Sequence, residues 1–250
     1  MCTPVPPTGH WHDDYERGRP SWPVEVVDVG GSPPTATVLE LGAGTGKLTE
    51  LLVGKFDRVI AVEPDEGMRA LLTARAPAAE VLPGGAEDIP TTDASVDAVF
   101  VAEAFHLFDG ERAVAEIARV LEPHGLLVLL WNIPAGPTRP SIAAAEQVLL
   151  DRAPPDLAYD PVDLNTRRYA SGEWRAPFED APFDDFQEAR FANPQTIDRD
   201  GLVAFFESMG WVGHLPDFER LPLLERVRSL LDDTEYRRSW ETHVHWTRLA

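Results

Sequence analysis

The chain contains little cysteine and few basic residues for its length. Cys2 is the one cysteine among 250 residues, which excludes an internal disulfide and favours a reducing, cytoplasmic environment. The 22 Lys and Arg residues stand against 42 Asp and Glu residues, for a net charge of −20. A negative field of this size repels phosphate backbones, so DNA and RNA are not expected as partners.

Several other signals are absent. No charged-then-apolar leader opens the sequence and no run of about 18 apolar residues occurs, so neither export nor membrane spanning is expected. The G-x-S-x-G and H-E-x-x-H patterns of hydrolases and metalloproteases are missing too. The pairs His10/His12 and His243/His245 have i, i+2 spacing, but metal ligands must converge and need supporting partners, so no metal site is predicted. Without repeats or a low-complexity linker, residues 1–250 are predicted to form a single domain.

A glycine-rich turn is the most informative feature that is present. An apolar run over 37–41 passes through Gly42, Gly44 and Gly46 into a helical pattern, and a second apolar run ends in Glu63. Glycines let the backbone approach a ligand closely, and an acid at the tip of the next strand can accept hydrogen bonds from a ribose diol. The stretch therefore predicts a site for a nucleotide-type cofactor.

The spacing decides between the common glycine-rich cofactor sites. A phosphate-binding P-loop would need glycine and a hydroxyl residue where Leu41 and Leu48 stand. A dinucleotide fingerprint would need a third glycine where Lys47 stands, and Glu40 would repel a diphosphate. A nicotinamide-dependent oxidoreductase is thereby disfavoured and remains the alternative.

Strand and helix patterns alternate through the first half of the chain. Apolar strand-like runs occupy 37–41, 58–62, 79–82, 96–101 and 125–131, with amphipathic helical patterns between them. Such an alternation predicts an α/β fold with a doubly wound, mostly parallel sheet. Ligands bind such sheets at the carboxyl ends of the strands, and four acids fall at or just beyond those ends: Glu40, Glu63, Glu87 and Glu103.

The motifs resemble those of class I S-adenosylmethionine-dependent methyltransferases of the type 11 kind. Glu40-x-Gly42-x-Gly44-x-Gly46 is similar to the first motif of that family, and 63–68 to the second, with an acid followed by a methionine. Residues 84–90 resemble the adenine loop, 102–108 the loop after the fourth strand, and 119–125 the turn into the fifth. Residues 15–23 resemble the opening segment of a branch that includes trans-aconitate-type small-molecule methyltransferases. Gly85, Glu103, Leu107 and His124 depart from the usual residues.

The resemblance implies a fold, a cofactor and a set of site residues. It implies a seven-stranded sheet with an antiparallel last strand and a helical cap, S-adenosyl-L-methionine as cofactor (product S-adenosyl-L-homocysteine) and a small-molecule acceptor. The protein is expected to be a monomer or a homodimer. His106, just beyond the fourth strand, is the candidate general base. The residues expected to bind the cofactor are Tyr15, Arg19, Glu40, Gly42, Ala43, Gly44, Gly46, Glu63, Pro64, Met68, Ala86, Glu87, Ala102 and Glu103.

The same resemblance divides the chain into segments. Residues 1–36 form an N-terminal segment, 37–132 the cofactor-binding core, 133–232 a substrate cap and 240–249 the last strand. Within the cap, 186–191 is predicted as strand six and 196–232 as two helices, the first including Ile197 and the second placing Leu221 on its apolar face. The function predicted is methyl transfer by in-line displacement, with alternatives of a nicotinamide-dependent oxidoreductase or a non-catalytic cofactor-binding protein.

Overall fold

The structure, a computed structural model, describes residues 11–153 and 169–250 and contains a seven-stranded sheet. The strand order is β3-β2-β1-β4-β5-β7-β6, and β7 runs antiparallel to both of its neighbours. This order confirms the predicted α/β fold with an antiparallel last strand. The strands are β1 (Thr37–Leu41), β2 (Arg58–Val62), β3 (Glu80–Leu82), β4 (Val96–Ala102), β5 (Leu121–Pro134), β6 (Gln187–Asp198) and β7 (Glu235–Arg248).

Helices cover both faces of the sheet because its central strands are apolar on both sides. In β4, Val99 and Val101 face one apolar cluster while Ala98 and Phe100 face another, and all four are buried. None of the described helices combines the length and the apolar character that a membrane crossing requires. The α-helices are α1 (Trp11–Gly18), α2 (Thr49–Val53), α3 (Glu66–Arg75), α4 (Gly110–Val120), α5 (Pro140–Leu150), α6 (Arg199–Glu207), α7 (Gly210–Gly213) and α8 (Asp217–Leu230).

The point where the strand order reverses lies beside β1. Leu41, the last residue of β1, is level with Val62 on β2 and with Val101 on β4. The chain segments that leave these three strands therefore emerge together at one edge of the sheet. A doubly wound sheet places its ligand cleft at this edge.

Strand six is twice as long as the sequence indicated. It continues from Gln187 through Pro194 to Asp198, whereas the prediction ended it at Phe191. Pro194 is tolerated because β6 is an edge strand, so the missing backbone N–H removes no ladder hydrogen bond from the sheet interior. Its partner β7 begins at Glu235, five residues before the predicted start at 240.

The region between β6 and β7 holds three helices where two were predicted. Ile197 belongs to β6 and not to a helix, and Leu221 is 55% exposed although the pattern assigned it to an apolar face. Helices α5, α6 and α8 pack with Tyr236 and Trp240 of β7 in a separate apolar cluster. The extension of β6 and β7 past the end of β5 carries this helical layer, which the prediction described as a cap.

The turn within β5 holds a residue in a strained backbone conformation. His124 has φ of +63°, the left-handed region that costs a side-chain-bearing residue about 1–2 kcal/mol. We predict that His124→Gly raises the free energy of unfolding by about 0.5–1 kcal/mol, because glycine enters this region freely but loses more chain entropy on folding. Denaturant unfolding measures the change. His124→Val is the control and should be less stable than the parent; a glycine variant no more stable than the parent would contradict the assignment.

Candidate functional site

The loop after β1 is shaped by three glycines with positive φ. Gly42, Gly44 and Gly46 have φ of +65°, +56° and +86°. A Cβ on Gly42 would lie 2.7 Å from the Cβ of Ala104, and one on Gly46 would lie 2.6 Å from Leu72, so these two glycines allow close packing. A Cβ on Gly44 would meet nothing within 4 Å, so of these three glycines Gly44 is the one that borders open space. The loop therefore leaves one stretch of backbone open to a ligand.

Glu63 at the tip of β2 is held against this loop. Its carboxylate accepts the Gly44 amide at 2.8 Å and the Asp65 amide at 2.9 Å, one on each oxygen. An ionised carboxylate offers about four acceptor positions, so about two remain for a ligand. Burial raises the pKa of Glu63, while the two amide donors act in the opposite direction. Asp65 in turn accepts from the Met68 amide at 2.7 Å and caps α3, which fixes the segment after β2.

Glu40 lies beneath the loop and not at its surface. It is 2% exposed, and the Thr49 hydroxyl on α2 donates to its carboxylate at 2.6 Å. Burial raises the pKa of Glu40 to about 8, with a further contribution from the charge of Glu63, while the Thr49 hydrogen bond opposes the shift. This pKa favours the protonated, uncharged form of the side chain at neutral pH.

Lys47, which stands where a dinucleotide site carries glycine, is directed toward the N-terminal helix. Its ammonium donates to the backbone oxygen of Glu16 at 2.8 Å and to the Glu16 carboxylate at 3.2 Å. Arg75 on α3 binds the same carboxylate, and His12 pairs with Asp65 at 2.8 Å. Lys47 therefore holds α1 against the glycine loop through its hydrogen bonds to Glu16.

The other side of α1 packs on the helical layer. A Cβ on Gly18 would lie 2.3 Å from the backbone of Phe205, and the Arg19 guanidinium donates to the Ser208 hydroxyl at 2.9 Å. Arg19 also lies over the Tyr15 ring, 5.5 Å from its centroid. Burial raises the pKa of Tyr15, the nearby Arg19 opposes this, and Glu103 and Glu63 add to it. The structure thus brings Tyr15 and Arg19 to the same region as two of the predicted acids.

Glu103 follows β4 with a positive φ of +51°. Its amide donates to Leu130 at 2.9 Å, and its carboxylate accepts the Asn132 amide at 2.6 Å, so both contacts join it to β5. Non-glycine residues in this conformation cost of order 1–3 kcal/mol and cluster at functional sites. The strained turn directs the chain into the short 3-10 helix Phe105–Leu107, which carries His106. Phe105 fixes that helix by stacking on Phe178 at 5.4 Å.

Several residues that the sequence predicted to bind the cofactor make contacts within the protein. Ala43 is buried in a small apolar cluster with Ala61 and Leu72, so its side chain faces the interior. The Glu87 carboxylate accepts the Asp109 amide at 2.9 Å at the start of α4. Of the rest, Ala86 and Met68 are buried, Ala102 is half-buried at the end of β4, and the backbone oxygen of Pro64 accepts from Arg69 at 2.6 Å.

A polar network at the same sheet edge includes Asn193, which the sequence analysis missed. The Asn132 side chain accepts from the Thr242 hydroxyl at 2.6 Å and from the Asn193 amide at 3.0 Å. Asn193 also donates to the Ser21 backbone oxygen at 2.7 Å, which holds the segment after α1. The signal that was available is an asparagine inside a strand next to proline, since such a side chain needs partners when it is partly buried.

The histidine pair on β7, for which no metal site was predicted, is buried. His243 and His245 are 9% and 2% exposed, and the Tyr169 hydroxyl bridges them at 2.8 Å and 2.9 Å. Glu241 bonds the other nitrogen of His243 at 2.7 Å. Burial lowers the pKa of both rings, that of His245 to about 4, which favours their neutral forms at neutral pH. His10, the partner of His12 in the other pair, lies outside the described residues.

The family comparison matches the part of the chain that contains strands β1 to β5. The profile of a family described as a methyltransferase domain matches residues 39–129, from β1 to β5. An uncharacterised methyltransferase of Mycobacterium bovis is 52% identical over 118 residues, 47% of this chain and 49% of that protein. The chain thus spans about half the length of that relative.

Two further matches extend over most of the chain. A structure assigned as a type II methyltransferase of Anaeromyxobacter dehalogenans superimposes with a TM-score of 0.67 at 23% identity, covering 92% of this chain and 98% of that one, which shows the shared fold. An uncharacterised methyltransferase-like protein of Schizosaccharomyces pombe is 31% identical over 225 residues, 88% of this chain and 82% of that protein. The chain therefore belongs to the class I S-adenosylmethionine-dependent methyltransferases.

Proposed function

We propose that this protein binds S-adenosylmethionine at the cleft above β1, β2 and β4 and directs methyl transfer to a small-molecule acceptor. The observation that carries the proposal is the glycine loop, whose open position at Gly44 lies beside the Glu63 carboxylate. The nearby Lys47 is engaged by Glu16 and so does not serve a pyrophosphate. This donor and acceptor set fits a nucleoside with a diol and without phosphate.

Each end of the cofactor has residues suited to it. Glu63 would accept the ribose hydroxyls, while Met68, Pro64, Ala86 and Glu87 would border the adenine. The loop residues Gly42, Ala43, Gly44 and Gly46 and the half-buried Arg19 and Tyr15 of the α1 segment would hold the amino-acid end, and Glu40 would act on it from beneath the loop. Ala102 and Glu103 would border the reacting centre. When bound, the cofactor supplies a methyl group on a sulfonium, which is already electrophilic.

The protein's task is then to align the acceptor and exclude water. Alignment alone supplies an effective molarity of about 10⁵–10⁸ M. Helix α1 is fastened to the glycine loop by Glu16 and to the helical layer through Gly18, so it closes the cleft from one side. The layer formed by α5, α6 and α8 would form much of the acceptor pocket. The net charge of −20 supports a small molecule and not a nucleic acid as acceptor.

Calorimetric titration tests the cofactor assignment. S-adenosylmethionine and S-adenosylhomocysteine are expected to bind, and NAD is not. Glu63→Gln should weaken cofactor binding by about 1.5–3 kcal/mol, because it removes a hydrogen bond to a charged group. The control Glu66→Gln removes the same charge from an exposed position three residues along and should leave the affinity unchanged. Binding of NAD without response to S-adenosylmethionine would overturn the proposal.

A substitution at Gly44 tests whether the open loop position is the ligand's. Gly44→Ala places a methyl group in the cleft and should weaken cofactor binding by about 1–3 kcal/mol, or about 5- to 150-fold. Gly31→Ala is the matched control: Gly31 also has positive φ, +71°, and open space, but it precedes β1 at the opposite edge of the sheet. Both variants should lose similar stability in denaturant unfolding. If Gly44→Ala and Gly31→Ala bound the cofactor with equal affinity, Gly44 would not border the bound cofactor.

His106 is the proposed general base where the acceptor must lose a proton. A labelled-methyl assay over carboxylates, phenols and amines first identifies the acceptor. His106→Gln is then expected to lower kcat by about 10²–10⁴-fold, the usual contribution of a positioned base, with cofactor affinity unchanged. His214→Gln, at an exposed histidine, is the control. Full activity of the His106 variant would leave alignment as the whole mechanism, and cofactor binding without any acceptor would indicate a non-catalytic binding protein.

A further inference from the structure

Glu40 is a buried carboxyl group without a cation to neutralise it among the described residues that face it. It lies on the face of β1 that α2 covers, and the hydrogen bond it receives comes from the neutral Thr49 hydroxyl at 2.6 Å. The charge that acts on it from β2 is the negative Glu63. The charged residues flanking Thr49 are directed elsewhere, since Lys47 binds Glu16 and Glu50 pairs with Arg75.

Such surroundings favour the neutral form of the acid. Moving a carboxylate out of water is costly unless a counter-charge or several donors compensate it. One hydroxyl donor compensates only in part, and the neighbouring Glu63 opposes ionisation. The pKa of about 8 agrees with this geometry, so at neutral pH the free protein holds a proton here.

The proposed ligand carries the charge that this position lacks. S-adenosylmethionine has a sulfonium, an ammonium and a carboxylate, which sum to one positive charge, whereas S-adenosylhomocysteine has lost the sulfonium charge. A positive charge placed close to a buried carboxyl group favours its ionised form and so lowers its pKa.

We propose that Glu40 gives up its proton when the cationic cofactor binds, and that this ionisation makes the site prefer the charged cofactor over its uncharged-sulfur product. The inference rests on the proposed function. The Glu40 O–H bond breaks, the electron pair stays on the carboxylate and the proton passes to the solvent. After methyl transfer the positive charge is gone, so Glu40 takes up a proton from the solvent and the product is held less tightly.

Calorimetry in buffers of different ionisation enthalpy measures the protons released. At pH 7 we expect S-adenosylmethionine to release up to about one proton per site, and S-adenosylhomocysteine to release fewer. Because binding releases a proton, affinity for the cofactor should increase from pH 6 to 8 and then level off. Infrared difference spectra should show the loss of a protonated carboxyl band when the cofactor binds.

Variants assign the proton to Glu40. Glu40→Gln mimics the neutral acid and keeps an acceptor for Thr49, so it should fold, release no proton and show a flat pH profile with a reduced preference for the cofactor over the product. Thr49→Val removes the donor that favours the ionised form, so proton release should extend to higher pH. Glu50→Gln, on the exposed side of α2, is the control and should behave as the parent.

The outcomes separate this inference from the proposed function. If S-adenosylmethionine does not bind the parent protein, the proposed function fails. If it binds without releasing protons, or if Glu40→Gln releases as many protons as the parent, Glu40 is not the group that ionises and the inference alone fails. Equal proton release by cofactor and product would overturn the proposed discrimination between them.

Discussion

The hydrogen bond from the Gly44 amide to the Glu63 carboxylate joins the ends of two neighbouring strands and organises the cleft around it. Gly44 donates this hydrogen bond from a backbone conformation with positive φ, and a Cβ on it would meet nothing within 4 Å, so the outer side of the loop is open. The Gly42 and Ala43 amides both donate to Val62, so the loop is anchored to the same strand that ends in Glu63. A single constraint on the backbone thus places an acceptor group beside an accessible main chain.

Helix α1 connects the glycine loop to the helical layer formed by α5, α6 and α8. Glu16 and His12 bind residues of the glycine loop and of the α3 start, while Gly18 and Arg19 contact α6 and the residue that follows it. Gly18 is required at the crossing because any Cβ would collide with the Phe205 backbone. The consequence is that the two walls of the cleft share one helix, and movement of that helix would change both together.

The parts that the sequence predicted well are those governed by local pattern. Strands β1, β2 and β4 match the apolar runs closely because most of their residues are buried, and the glycine loop lies against Glu63 as their spacing indicated. The predicted end of β6 was wrong because Pro194 indicates a strand break from the local sequence. A proline is tolerated in an edge strand, and only the order of the strands in the sheet shows that β6 is one. His243 and His245 have the alternation of a solvated edge strand, and only the covering Tyr169, 74 and 76 residues away in sequence, shows that they are buried.

The excess of acidic residues in the chain also appears in the charged groups at the cleft. Arg19 is stacked on rings and bonded to the uncharged Ser208, whereas Glu40, Glu63 and Glu103 all lie along the edge where three strands end. An anionic nucleotide would meet the carboxylates of Glu63 and Glu103 and the field of a molecule with twenty excess negative charges. A ligand with net positive charge gains from both, while Arg19 remains suited to a carboxylate at its other end. The same charge distribution that argues against diphosphates therefore argues for a cationic nucleoside whose amino-acid tail carries the one negative group.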